Sequence, residues 1–166
     1  MVSTELVRRY RFFAGLDPEE IRLLAMRGEA FDVEPGHVFC REGDGLDHFY
    51  LVEAGRIAVE LETTARGVQH GLAEQLTGEL QTEEVTIGSM GPGAVFCFSA
   101  LVPPYRAVAG ARAVGPARVV AFDADGLRRD FEKDGRFGYR MLQKFAHIIR
   151  ERLQALRVVS LGAGNS

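Results

Sequence analysis

The stretch 34-EPGHVFCREGDGLDHFYLVEAGRIAV-59 decides how the rest of the chain is read. Pro35-Gly36, Gly43-Asp44 and Gly55 punctuate it, and each interval between them is a short run rich in aromatic or β-branched residues. Turn residues joining runs of that kind specify antiparallel strands. Past Gly55 the period is two: Ile57, Val59 and Leu61 point one way, while Ala58, Glu60 and Glu62 point the other.

Working outward, the strand signals begin near Ala30 and return at 84-EVTIGSM-90, 106-RAVAGARA-113 and 117-ARVVAFD-123. With turns about every 8–12 positions, this describes a small antiparallel β-roll. Thr63–Glu83 interrupts it, being polar, carrying Gly67, Gly71 and Gly78, and lacking a clean period. We read it as a hairpin excursion or loop, with a short helical turn around 72-LAEQL-76. Before the roll, 16-LDPEEIRLLAM-26 is a helix: Asp17 is a good N-cap, Pro18 suits the first helical position, and Glu19 and Glu20 favour the N-terminal dipole. After it, Asp123 or Asp125 caps a short helix that Gly135 interrupts. A long amphipathic helix then runs from about Phe137 to Val159. Its Leu142, Phe145, Ile149, Leu153 and Leu156 follow a three-and-four spacing that suits a core face or a two-helix seam, and the tail from Leu161 is expected to fray. The fold class is therefore α+β. A jelly-roll-like antiparallel β-roll of about eight strands lies between a short N-terminal helix and the C-terminal helices. It forms one domain over residues 1–166: helical to 29, β-roll from 30 to 123, helices from 124 to 159.

Composition narrows the function. The chain has 166 residues and a net charge of −3, which suits one core and gives no field that would gather nucleic acid or an anionic membrane. No apolar run approaches the roughly 20 residues of a membrane span, and the N-terminus has no signal-peptide pattern. Cys40 and Cys97 make no disulfide framework. They suit a reducing cytoplasm and read as two buried thiols acting as small hydrophobes. His37, His48, His70 and His147 have no ligand spacing, so no metal site is expected. Nucleophile-elbow and P-loop motifs are missing, and we expect no enzyme. The basic residues between Arg128 and Arg157 read as a solvated helix face, and Phe49 and Tyr50 as sheet core.

The least ordinary stretch is 91-GPGAVFCFSALVPPYRA-107, where a Gly-Pro-Gly turn enters an apolar run, two prolines break it, and an arginine follows. Together with 12-FFAGLDPEEIRLLA-25 and the opening stretch, it resembles the cyclic nucleotide-binding domain of the catabolite-activator and kinase-regulatory-subunit superfamily. The likeness spans roughly residues 10–159. The resemblance implies that 91–107 is a phosphate-binding cassette. In such a cassette, backbone N–H groups at the start of a short helix and an arginine just after it hold the cyclic phosphate. Phe96, Ala100, Leu101 and Arg106 match the family pattern. Cys97 stands at the usual glycine, Phe98 at the glutamate that accepts from the ribose 2′-hydroxyl, and Ala107 where a small hydroxyl residue is common. Ser99 is a further hydroxyl at this site.

The candidate ligand-binding set is thus Phe96, Cys97, Phe98, Ser99, Ala100, Arg106 and Ala107, with the phosphate half kept and the ribose half altered. The resemblance implies a stand-alone regulatory module with no cofactor. Its ligand would be cyclic AMP, cyclic GMP or a related small anion, held weakly or in an altered pose. The output would be a separate protein effector or a homodimer through the C-terminal helix. Too few residues follow that helix for the DNA-reading helix-turn-helix of family transcription factors, so neither direct DNA binding nor membrane association is expected. The alternatives are a degenerate scaffold in which Phe98 plugs the pocket, and an output-truncated transcription factor.

Overall fold

Two Pro-Gly turns and two central strands organise the computed structural model, which describes residues 1–64 and 82–163. Gly36 and Gly93 adopt φ of +83° and +86°. The amides of His37 and Ala94 close these turns onto the carbonyls of Glu34 and Gly91. Proline followed by a left-handed glycine is what such a turn requires. Gly55 turns β3 into β4 at φ +87°, and a Cβ there would lie 2.5 Å from the Pro116 carbonyl oxygen, so no other residue fits without displacing backbone.

The N-terminal part contains α1 (Thr4–Arg9), a 3₁₀ turn (Arg11–Phe13) and α2 (Pro18–Arg27). Asp17 caps α2 as expected, and Glu20 completes a capping box by accepting from the Asp17 amide at 2.8 Å. Among the described residues eight antiparallel strands follow: β1 (Gly28–Val33), β2 (Val38–Cys40), β3 (His48–Ala54), β4 (Ile57–Thr64), β5 (Thr82–Met90), β6 (Val95–Phe96), β7 (Gly110–Ala113) and β8 (Ala117–Asp123). They form two sheets, ordered β1-β8-β3-β6 and β2-β7-β4-β5. The chain is thus an α+β fold with an antiparallel roll, and β8, largely buried, is with β3 one of the two central strands of the first sheet.

Three expectations change. The strand foreseen from Arg106 is only Gly110–Ala113, because Tyr105–Ala107 instead bond to the Gly43–Leu46 turn. Glu60, foreseen on the polar face of β4, is buried and paired with Arg112. A register shift between Val59 and Glu60 breaks the alternation there. The excursion expected from Thr63 to Glu83 is trimmed at both ends, since β4 and β5 still pair at Thr64 and Thr82. Its middle, including the helical turn foreseen at 72–76, lies outside the described residues.

Asp123, rather than Asp125, caps α3 (Ala124–Lys133), accepting from the Gly126 amide at 3.1 Å. Asp134 then caps the long helix α4 (Gly135–Ala163) through the amides of Arg136 and Phe137. The helix continues past the point where fraying was expected. Gly138 lets the two helices cross closely, since a Cβ there would sit 2.9 Å from that of Phe131.

The core face of α4 is Phe137, Met141 and Phe145, with Ile148 partly buried. Of the apolar stripe read from the sequence, Phe145 enters this core, while Leu142, Ile149 and Leu153 are 48–60% exposed, and the Leu156 side chain lies outside what is described. No helix of the described residues is long and apolar enough to cross a membrane.

Candidate functional site

The stretch 91–107 joins β6 to the return segment that precedes β7, and its geometry starts from an aromatic platform. Phe96 is buried and stacks on Tyr50 of β3, with ring centroids 5.0 Å apart and planes at 17°. Phe39 meets it edge-on, also at 5.0 Å. Burial pushes the Tyr50 phenol up to about 12, so that ring stays neutral at ordinary pH.

Past this platform the backbone turns sharply at Cys97, whose φ is +55°. A side chain in that left-handed conformation costs roughly 1–2 kcal/mol, which is why glycine suits the position. The Cys97 sulfur lies 3.2 Å from that of Cys40, the last residue of β2. The hydrogen bond between them holds Cys40 below the ordinary thiol range. The same bond, reinforced by burial, drives Cys97 far above that range.

Phe98–Leu101 form a 3₁₀ turn. Phe98 points toward α4, stacking on Phe145 at 5.1 Å with planes 16° apart, and the Arg152 guanidinium lies 5.4 Å from its ring centroid. Ala100 is fully buried, and its carbonyl accepts from Arg128 of α3. Arg128 also sits 4.1 Å over the Tyr105 ring, so α3 holds both the turn and the segment that follows it.

The return segment brings Arg106 to the rim. Its side chain is exposed, and its Nη1 donates to the Gly43 carbonyl at 2.8 Å. Ala107 is buried, its amide held by the Asp44 carbonyl at 2.8 Å.

Phe96, Cys97, Phe98, Ser99 and Ala107 line one cavity of about 70 Å³. Ala100 lies behind it, and Arg106 is outside its lining. The cation that does line it is Arg152 of α4, which sequence reasoning missed. Its Nη2 donates to the Val95 carbonyl at 2.8 Å, and burial holds its guanidinium below the ordinary arginine range. No periodicity singles it out, because its role depends on how α4 docks.

A second hollow of about 910 Å³ lies between the 3₁₀ turn at Arg11–Phe13, the β5–β6 turn and α4. Met90 and Arg152 line both spaces. Arg140, Lys144 and His147 also face the larger one. Burial lowers the Lys144 ammonium below its usual range. Among the described residues, no group of three or more His, Cys, Asp or Glu could hold a metal ion.

Comparison with solved structures finds the same architecture elsewhere. A protein from Geobacter metallireducens, assigned in its crystal structure as a cyclic nucleotide-binding protein, superposes with a TM-score of 0.74 at 28% identity. The match covers 92% of this chain and 99% of that one. The catabolite activator protein of Thermus thermophilus gives a TM-score of 0.62 at 22% identity, over 90% of this chain and 62% of that one. The regulatory domain of Toxoplasma gondii PKA, solved with cAMP, gives 0.57 at 19%, over 76% and 42%. The last two likenesses concern the fold alone. No curated protein matches the chain. The family model described as cyclic nucleotide-binding domain matches residues 30–134, which takes in both sheets, the 91–107 cassette and α3. A match of that extent, on this fold, means that the chain belongs to the cyclic nucleotide-binding domain family.

Proposed function

We propose that this chain is a regulatory module that senses a cyclic nucleotide, or a related anionic small molecule, and reports its occupancy through the long helix α4. The observation that carries the reading is Arg152: a residue of α4 lines both the cavity under the cassette and the larger hollow. A cavity of about 70 Å³ has room for about two waters, whereas a nucleotide-sized ligand needs several hundred Å³. In this reading a movement of Arg152 would open that cavity toward the 910 Å³ hollow, whose lining it shares. Filling the site and moving α4 are then one event, and the ligand biases a two-state equilibrium.

An entering anion would exchange the Val95 and Gly43 carbonyls for itself as partner of Arg152 and Arg106. That replaces neutral acceptors with stronger charge-assisted bonds. The readout would be a contact of α4 with a separate protein effector or with a second copy of the chain.

Calorimetric titration with cyclic AMP and cyclic GMP tests the reading. Heat and a thermal shift at millimolar ligand are expected, and their absence for both nucleotides defeats it. Phe98→Glu restores the acceptor for a ribose hydroxyl and is expected to raise affinity roughly 10- to 100-fold.

A second reading, a degenerate scaffold acting through dimerisation, draws on the Phe98 ring stacked over Phe145 and on the exposed stripe of α4. Tyr139, Leu142, Ile149 and Leu153 follow the three-and-four spacing of a two-helix seam. The full chain is expected to sediment as a dimer, and the chain shortened before Arg150 as a monomer. A full chain that stays monomeric at high concentration removes the seam from both readings.

A further inference from the structure

We propose that Cys40 and Cys97 form a reversible intramolecular disulfide that pins the cassette to the facing sheet. Neither cysteine suggests this alone, since 57 positions separate them in the chain. The roll brings them together from different sheets: Cys40 ends β2, beside β7, and Cys97 directly follows β6, beside β3. The sulfurs lie 3.2 Å apart with no group between them, so a small closure makes the bond.

Access and chemistry agree with this arrangement. Cys97 is only half-buried and lines the 70 Å³ cavity, which admits an oxidant the size of hydrogen peroxide. The Cys40 sulfur lies 3.2 Å from that of Cys97, so a sulfenic acid on either sulfur has the other thiol within reach.

The sulfur that the peroxide reaches attacks one of its oxygens and the O–O bond breaks. A sulfenic acid forms on that sulfur, and the departing hydroxide takes up its thiol proton as water. The other sulfur then attacks it and expels the hydroxyl, which leaves as a second water with the remaining thiol proton. In sum, two thiols and one peroxide give one disulfide and two waters. A dithiol reductant reverses the bond by thiol–disulfide exchange.

Cys97 is the hinge at which the chain leaves β6 for the cassette. The bond therefore holds the cassette against β2 and opposes the opening that admits a ligand. This regulatory consequence rests on the ligand-sensing reading above, whereas the bond itself does not.

The test uses the full chain, reduced and then treated with stoichiometric hydrogen peroxide. Thiol titration after denaturation should fall from two free thiols to none. The mass should drop by about 2 Da, the protein should remain free of intermolecular bonds, and dithiothreitol should restore both thiols. Closing a loop of this length is expected to raise Tm by on the order of 10 °C in the wild type. Cys97→Ser should show no such rise.

Two surviving thiols, bonds only between chains, or oxidation of the sulfurs to sulfinic acid overturn the proposal. Titrating cyclic AMP into the reduced and oxidised forms then tests the consequence: binding at least tenfold weaker after oxidation supports it, and equal binding rejects it. If the reduced protein ignores the nucleotide, the sensing reading fails while the thiol count still judges the disulfide.

Discussion

Phe145→Ala is expected to destabilise the protein by about 3–5 kcal/mol and to release α4 from the cassette. Phe145 is 2% exposed, and three other elements meet on its ring. Phe12 of the N-terminal 3₁₀ turn lies at 5.3 Å, Phe49 of β3 edge-on at 5.6 Å, and Phe98 of the cassette stacked at 5.1 Å. Truncating it removes the transfer free energy of a buried aromatic. It also opens a space that a strand of one sheet and two 3₁₀ turns cannot all move to fill. A loss of that size is a large part of the stability of a domain this long. The sequence contains no tryptophan, so urea unfolding is best followed by far-UV circular dichroism. A midpoint shift worth under about 1 kcal/mol would mean that α4 is not docked on this ring. Phe145→Leu keeps most of the volume and should recover more than half of the loss.

Arg140→Met is expected to cost about 3–5 kcal/mol by a different route. Glu20 is 2% exposed, although it belongs to the first turn of α2. Its Oε2 accepts from the Asp17 amide and from Arg140 Nη1, both at 2.8 Å, and its Oε1 has no partner among the described residues. Methionine covers the carboxylate as well as arginine does but leaves its charge unanswered, and an unpaired buried charge is what makes breaking such a pair costly. The check is a double-mutant cycle: Glu20→Gln in the Arg140→Met background should restore most of the lost stability, giving a coupling energy above about 1.5 kcal/mol. Additive single effects would show that the pair does not hold α2 to α4.

Both predictions concern contacts between the N-terminal segment and the last helix, and neither is written locally in the chain. What is written locally came through well. Asp17, Pro18 and Glu20 announce the start of α2, because a cap satisfies amides only two or three residues away. Pro35-Gly36 and Pro92-Gly93 place their turns, since the required dihedrals belong to those residues alone. The bounds of β8 at Ala117 and Asp123 follow from a turn on one side and a helix cap on the other. The family likeness rests on the same short-range signals.

The site was legible in position and only partly in geometry. Phe96, Cys97, Phe98, Ser99 and Ala107 are neighbours in sequence and share a cavity, whereas Arg106 turns out to the Gly43 carbonyl. Its direction is set by the Gly43–Leu46 turn, more than fifty residues earlier. Helix α4 carries two apolar stripes: Leu142, Ile149 and Leu153 recur at intervals of seven and four, Phe137, Met141 and Phe145 at four and four, and each set returns to one helix face. Periodicity cannot choose between them, because the choice is made by the shape of the sheet surface on which the helix lands.

Chain-local chemistry was enough to establish where turns, caps and strands fall, and with them the roll and the place of its cassette. Dihedral preferences and capping bonds act over a few residues and carry their information with them. Which stripe of α4 is buried, that Arg152 lines the cavity, and that Cys40 meets Cys97 at 3.2 Å all came from packing. Those outcomes join residues tens of positions apart, and their partners are chosen by how two sheets and a helix fit together.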